Sequence, residues 1–175
     1  HWTDHLPSTY HSTVFIMTDF NALRNGFLDH LSSEKTSQDE LQSLCDWLRK
    51  AVVHYDWVGI YVMNKSKNQL HLLCYAGEPT DHVVIPFGKG ICGQVAVSGE
   101  VFVVQDVEEQ DNYIACNINV RSEVVFPIYS DGELVAQIDI DSHSEAPFRD
   151  EDSLLLSDIA DAIGRKWNPD FLANL

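Results

Sequence analysis

Two β-forming runs, Glu123–Tyr129 and Glu133–Ile140, flank the tripeptide Ser130-Asp131-Gly132. Asp-Gly between apolar-rich stretches is a strong local signal for a hairpin, because the tight turn needs positive φ and Gly takes it without steric cost. A second pair of runs precedes this one. Asp56–Met63 is rich in β-branched and aromatic residues, Asn64–Asn68 is turn chemistry, and Gln69–Ala76 returns. The sheet is therefore expected to be hairpin-dominated and antiparallel.

Helical signals sit at the two ends. Phe20, Leu23, Phe27 and Leu31 recur at near-helical spacing in a stretch running from about Ser12 to Leu31. Ser37 and Glu40 form a capping box, and Leu41, Leu44, Cys45, Leu48 and Val52 make the apolar stripe that follows. Asp150–Trp167 is amphipathic, with Asp150, Glu151 and Asp152 in the first turn, where the helix dipole favours acids. Between the hairpins, Gly and Pro punctuate a middle with short strands at Val83–Ile85 and Val101–Val104, a short helix near Cys92–Val97, and an acidic loop from Asp106 to about Val120. The plan is α+β: an antiparallel sheet with terminal helices packed on one face. One domain over residues 12–168 is expected, with tails at 1–11 and 169–175.

Of 175 residues, 45% are apolar, enough for a real core. The net charge of −16 is unevenly placed: residues 100–161 hold sixteen acids and only two bases, Arg121 and Arg149. Nucleic acid and anionic membrane surfaces both need Lys/Arg, so neither is an expected partner. No apolar run approaches the roughly 18 residues needed to span a bilayer, and the start of the chain lacks the features of a signal peptide. Four cysteines are too few for a disulfide scaffold of this size, which points to thiols in a reducing cytoplasm.

The chemistry-bearing residues narrow quickly. There is no CxxC, HExxH, GxSxG or P-loop, and no metal motif. Cys45 on the helical stripe and Cys74 within a strand read as core fillers. Gly88-Lys89-Gly90-Ile91-Cys92-Gly93 reads as a tight turn into a helix. Cys92 is then either a thiol near a helix N-terminus, where the dipole lowers its pKa, or a small buried apolar residue. Cys116 lies in an acidic loop, a setting that raises a thiol pKa unless something compensates. Asp139 and Asp141 alternate with Ile138 and Ile140 and so share one side of a strand, while Glu123 opens the partner strand. Three acids on one sheet face repel one another. They are either a solvated surface or a site for an ammonium or metal ion.

Five segments together carry a resemblance. Asp56-Trp57-Val58-Gly59-Ile60-Tyr61, Ile85 through Gly93, Tyr113-Ile114-Ala115-Cys116, Ser122-Glu123 through Ile128, and Ile138-Asp139-Ile140-Asp141-Ser142 resemble a GAF domain. More narrowly they resemble the free methionine-(R)-sulfoxide reductases, over about residues 14–166. The resemblance implies a GAF/PAS-like fold with a closed small-molecule pocket. It places the catalytic cysteine at Cys116 and a resolving cysteine at Cys92. It makes Trp57 and Tyr61 pocket aromatics, and Glu123, Asp139 and Asp141 the acids that take a free amino acid's ammonium group. The implied activity is reduction of free L-methionine (R)-S-oxide through a Cys116 sulfenic acid and a Cys92–Cys116 disulfide. It requires no bound cofactor and an external thiol reductant such as thioredoxin; association as a homodimer is left open. The sequence departs from that family at two points: His82 stands where a further cysteine is usual, and Cys116 is followed by Asn117-Ile118-Asn119. A non-catalytic GAF module that senses a small molecule is the alternative.

Overall fold

Both hairpins form, and they share a border. The computed structural model describes residues 17–113 and 118–175. β1 (Trp57–Asn64) pairs with β2 (Gln69–Ala76), and β5 (Ser122–Ser130) with β6 (Glu133–Ser142). β1 then pairs with β6, joining the hairpins into one sheet. Two short strands, β3 (Val84–Pro86) and β4 (Phe102–Val104), close the edges. The order is β3-β2-β1-β6-β5-β4, with every pairing antiparallel. The turn of the second hairpin uses Asp131 and Gly132 at φ 50° and 80°, as its Asp-Gly signal requires.

Three helices cover one face. α1 (Phe20–Gly26) starts at Asp19, whose side chain accepts from the Ala22 backbone N–H; it then tightens into a 3₁₀ turn over Phe27–His30. The proposed beginning of this helix near Ser12 lies outside the described residues. α2 (Gln38–Ala51) carries the full capping box, with Ser37 and Glu40 each satisfying the other's backbone N–H. Its stripe of Leu41, Leu44, Cys45 and Leu48 is buried against the sheet. α4 (Asp150–Arg165) lies so close to β5 that a Cβ on Gly164 would sit 1.9 Å from the Tyr129 carbonyl oxygen. Only glycine permits that approach. Beyond α4, Asp170–Ala173 forms a further helical turn, α5, whose Phe171 is buried beside Trp167.

This helical side holds the larger apolar cluster, including Val58, Ile60, Ile138 and Ile140 from the sheet and Leu155, Leu156 and Ile159 from α4. Its buried acid, Asp152, is fully used. One oxygen lies 2.7 Å from both His54 Nε2 and the Tyr55 hydroxyl, and the other accepts from the Arg149 backbone N–H at 2.9 Å. The opposite face is covered by α3 (Gly90–Ser98), with Val107, Tyr113 and Val120 packed beside it. A smaller cluster forms there around Tyr61, Leu70, Ile91, Val95 and Val125.

Candidate functional site

Strand parity decides which side chains face α3. On β6, Ile138 and Ile140 enter the helical core, so Gln137, Asp139 and Asp141 point the other way. The register extends this across three strands. Glu123 on β5, Asp141 on β6 and Trp57 on β1 form one row; Val125, Asp139 and Gly59 form the next; Pro127, Gln137 and Tyr61 the third. Gly59 has no side chain to fill its place in the middle row, and the Trp57 indole occupies it. A Cβ there would lie 2.2 Å from the ring.

The three acids are buried, not solvated: Glu123 is 5% exposed, Asp139 1% and Asp141 2%. The solvated-face alternative is thereby excluded. Among the described residues, Asp139 Oδ1 and Asp141 Oδ1 have no hydrogen-bond partner, and neither does Gln137 Oε1. Such groups cost free energy as long as they stay unanswered. Burial pushes the Asp139 carboxyl above its usual range, although hydrogen bonds with Glu123 and Cys92 and the nearby His82 pull it back. Asp141 is pushed well above that range, first by burial and then by the charge of Asp139.

Cys92 is the third residue of α3, and its Sγ donates to Glu123 Oε1 at 3.7 Å. The helix dipole does not make it a thiolate. Burial, then Asp139, Glu123 and Asp141, push its thiol well above the ordinary value. This reverses the expectation from helix position alone, because a partial dipole charge is outweighed by lost hydration and full negative charges nearby. Gln137 fixes the residue from behind by donating from Nε2 to the Cys92 carbonyl at 3.1 Å. Cys92, Glu123 and Asp139 border a cavity of about 10 Å³, also lined by His82 and Lys89.

The aromatics brace the segment beside this cavity. Trp57 Nε1 donates to the Glu78 carbonyl at 3.1 Å, and its ring stacks on Tyr75 with centroids 5.6 Å apart. The Tyr61 hydroxyl donates to the His82 carbonyl at 2.9 Å. Asn112 ties the next loop to the base of α3: its Oδ1 accepts from the Gly90 N–H at 3.2 Å, and its Nδ2 donates to the Gly88 carbonyl at 2.8 Å. Cys116, four residues on, lies outside the described residues. Cys45 and Cys74 are elsewhere, buried on the helical face with sulfurs 4.0 Å apart, as core fillers would be.

A GAF domain family model matches residues 34–166. The chain belongs to the GAF domain family. Within that family it is similar to the free methionine-R-sulfoxide reductase of Escherichia coli, 31% identical over 77% of this chain and 75% of that one. It is likewise similar to the solved free methionine-R-sulfoxide reductase of Neisseria meningitidis in complex with its substrate. That match has TM-score 0.80 at 28% identity, covering 91% of this chain and 96% of the other. Its GAF relatives also include GAF domain-containing protein A of Dictyostelium discoideum, 32% identical over 63% of this chain and 68% of that one.

Within this GAF fold, four residues at or beside the site were not singled out as site residues from sequence. Gln137 was marked by parity, two residues before Asp139. Gly59 lies in a β-rich run where a glycine signals close approach. His82 was noted only as a departure from the reductases, and Asn112 only as part of the loop. The structure puts His82 at the cavity and Asn112 at the joint between the loop and α3.

Proposed function

We propose that the protein reduces free L-methionine (R)-S-oxide to methionine. The observation that carries this reading is the set of three buried carboxyls beside a buried thiol, with two carboxylate oxygens left unpartnered. A substrate ammonium supplies both the positive charge and the N–H donors that such oxygens lack. The reductase relatives supply the chemistry that goes with the cluster.

In the proposed cycle the Cys116 thiolate attacks the sulfoxide sulfur while the oxygen receives a proton. Methionine leaves, and Cys116 is oxidised to a sulfenic acid. The raised Asp139 and Asp141 carboxyls are suited to hold and deliver that proton while the remaining negative charge binds the ammonium. Cys92 is kept as a neutral thiol at rest, so it does not compete as the attacking nucleophile. It then attacks the Cys116 sulfenic sulfur, giving a disulfide and water, with Glu123 at 3.7 Å placed to accept its proton. An external dithiol of the thioredoxin type reduces the disulfide. Trp57 and Tyr61 sit on the same face as the acids to hold the methyl-sulfinyl end.

The second reading is a small-molecule-sensing GAF module. It is favoured by one observation, His82 in place of a cysteine usual in the reductases. Thiol-dependent turnover of the free (R)-sulfoxide separates the two. The reductase reading expects turnover by the wild type and its loss in Cys116→Ser. A well-folded protein without turnover would leave the sensing module.

A further inference from the structure

The same cluster has the donors of a metal site. We infer that in the absence of substrate the pocket takes up one borderline-soft divalent cation of the zinc class, held by Cys92 Sγ, Glu123 and Asp139. Among the described residues, these three are the one group of metal-ligating side chains whose donor atoms all lie within 4.8 Å of one another, and all three are buried. The 3.7 Å between Cys92 Sγ and Glu123 Oε1 is close to the edge of a zinc tetrahedron. Zn–S and Zn–O arms of about 2.3 and 2.0 Å at the tetrahedral angle set sulfur and oxygen about 3.5 Å apart.

The hydrogen bonds among these three side chains leave one oxygen over, and that oxygen points to a cation. Asp139 Oδ1 is buried within the cluster and has no partner among the described residues. The adjoining Asp141 Oδ1 is in the same condition and adds negative charge behind the ligands. The cavity of about 10 Å³ that Cys92, Glu123 and Asp139 line together with His82 and Lys89 is the size of one water or one small ion. The donor set selects the metal class. A thiolate with two carboxylates favours Zn²⁺ or Co²⁺ over Mg²⁺ and Ca²⁺, which want six or more oxygens. Binding replaces the thiol proton: Cys92–SH and M²⁺ give Cys92–S–M and one proton released to solvent. Three protein ligands leave a fourth position open. Metal and ammonium would use the same carboxylates, so the two exclude each other. That exclusion rests on the ammonium reading above; the metal site does not.

Co²⁺ titration of the fully reduced protein tests this. The expected result is a thiolate-to-cobalt charge-transfer band saturating at one equivalent. The band should be unchanged in Cys116→Ser, lost in Cys92→Ser and Asp139→Asn, and suppressed by excess free L-methionine. Circular dichroism establishes that both variants are folded. Absence of the band in the wild type, or its persistence in Cys92→Ser, overturns the site; cobalt held only by histidines gives no such band. A band that obeys the cysteine variants but persists in saturating methionine overturns the mutual exclusion, and leaves the reductase reading to its own turnover assay.

Discussion

The molecule buries carboxyls on both sides of its sheet, and the two settings could hardly differ more. On the helical side, burial alone would raise Asp152. Hydrogen bonds from His54, the Arg149 backbone and Tyr55 outweigh it, and its carboxyl lies below the ordinary range. On the α3 side, Asp139 and Asp141 are as deeply buried but keep an unpartnered oxygen each, and both carboxyls are raised. A buried acid with both oxygens hydrogen-bonded is part of the scaffold. A buried acid with an oxygen to spare costs free energy that the rest of the fold carries, and in the function proposed above that oxygen takes the substrate's ammonium.

Removing the satisfied acid should give the largest effect on stability. Asp152→Ala leaves the Tyr55 hydroxyl and the first turn of α4 without their acceptor. A loss of about 3–5 kcal/mol is expected by chemical denaturation, with KM unchanged in the surviving folded protein. Removing an unsatisfied acid should do the reverse. Asp141→Asn should raise KM for the free sulfoxide about tenfold to a hundredfold, while stabilising the apo protein by about 1 kcal/mol, or roughly 2–4 °C in Tm. A parallel loss of stability in both variants would erase the distinction.

The sign of the pH dependence sharpens the same contrast. A carboxyl lowered in the fold contributes stability above its unfolded-state pKa and loses it as the pH falls through the folded value. Asp152 should therefore weaken the protein in acid. A carboxyl raised in the fold contributes stability below its unfolded-state pKa and loses it as the pH rises through the folded value. Asp139 and Asp141 should cost stability toward neutral pH. The Tm advantage of Asp141→Asn should thus be present at pH 7 and vanish below the ordinary aspartate range. The smallest effect belongs to neither acid: Ser37→Ala opens the α2 capping box and should cost about 1 kcal/mol, with activity untouched.

Much of this contrast was legible in the sequence wherever local chemistry sets the outcome. The Asp-Gly turn, the Ser37–Glu40 box and the alternation of Ile138 and Ile140 with Asp139 and Asp141 each act over a few residues, and each appears in the structure as read. What was not legible depends on distant elements. Whether three acids on a sheet face meet water or protein is decided by α3 and the segment that precedes it, whose His82, Lys89 and Cys92 border the same cavity as Glu123 and Asp139. Burial, together with the charges of Asp139, Glu123 and Asp141 across the sheet face, inverts the behaviour expected of the Cys92 thiol from its helix position. Gly59 becomes meaningful only once the Trp57 indole is seen to lie over it, and Gln137 only once it reaches the Cys92 carbonyl. The assignment of Cys116 stands on resemblance.

The most direct measurement compares kcat/KM for free L-methionine (R)-S-oxide and for its N-acetyl derivative, which keeps the sulfoxide but has no ammonium. Recognition by the buried acids requires robust turnover of the free amino acid and at least about a tenfold to hundredfold lower value for the acetylated one. Equal kcat/KM for the two would show that Glu123, Asp139 and Asp141 do not bind an ammonium group.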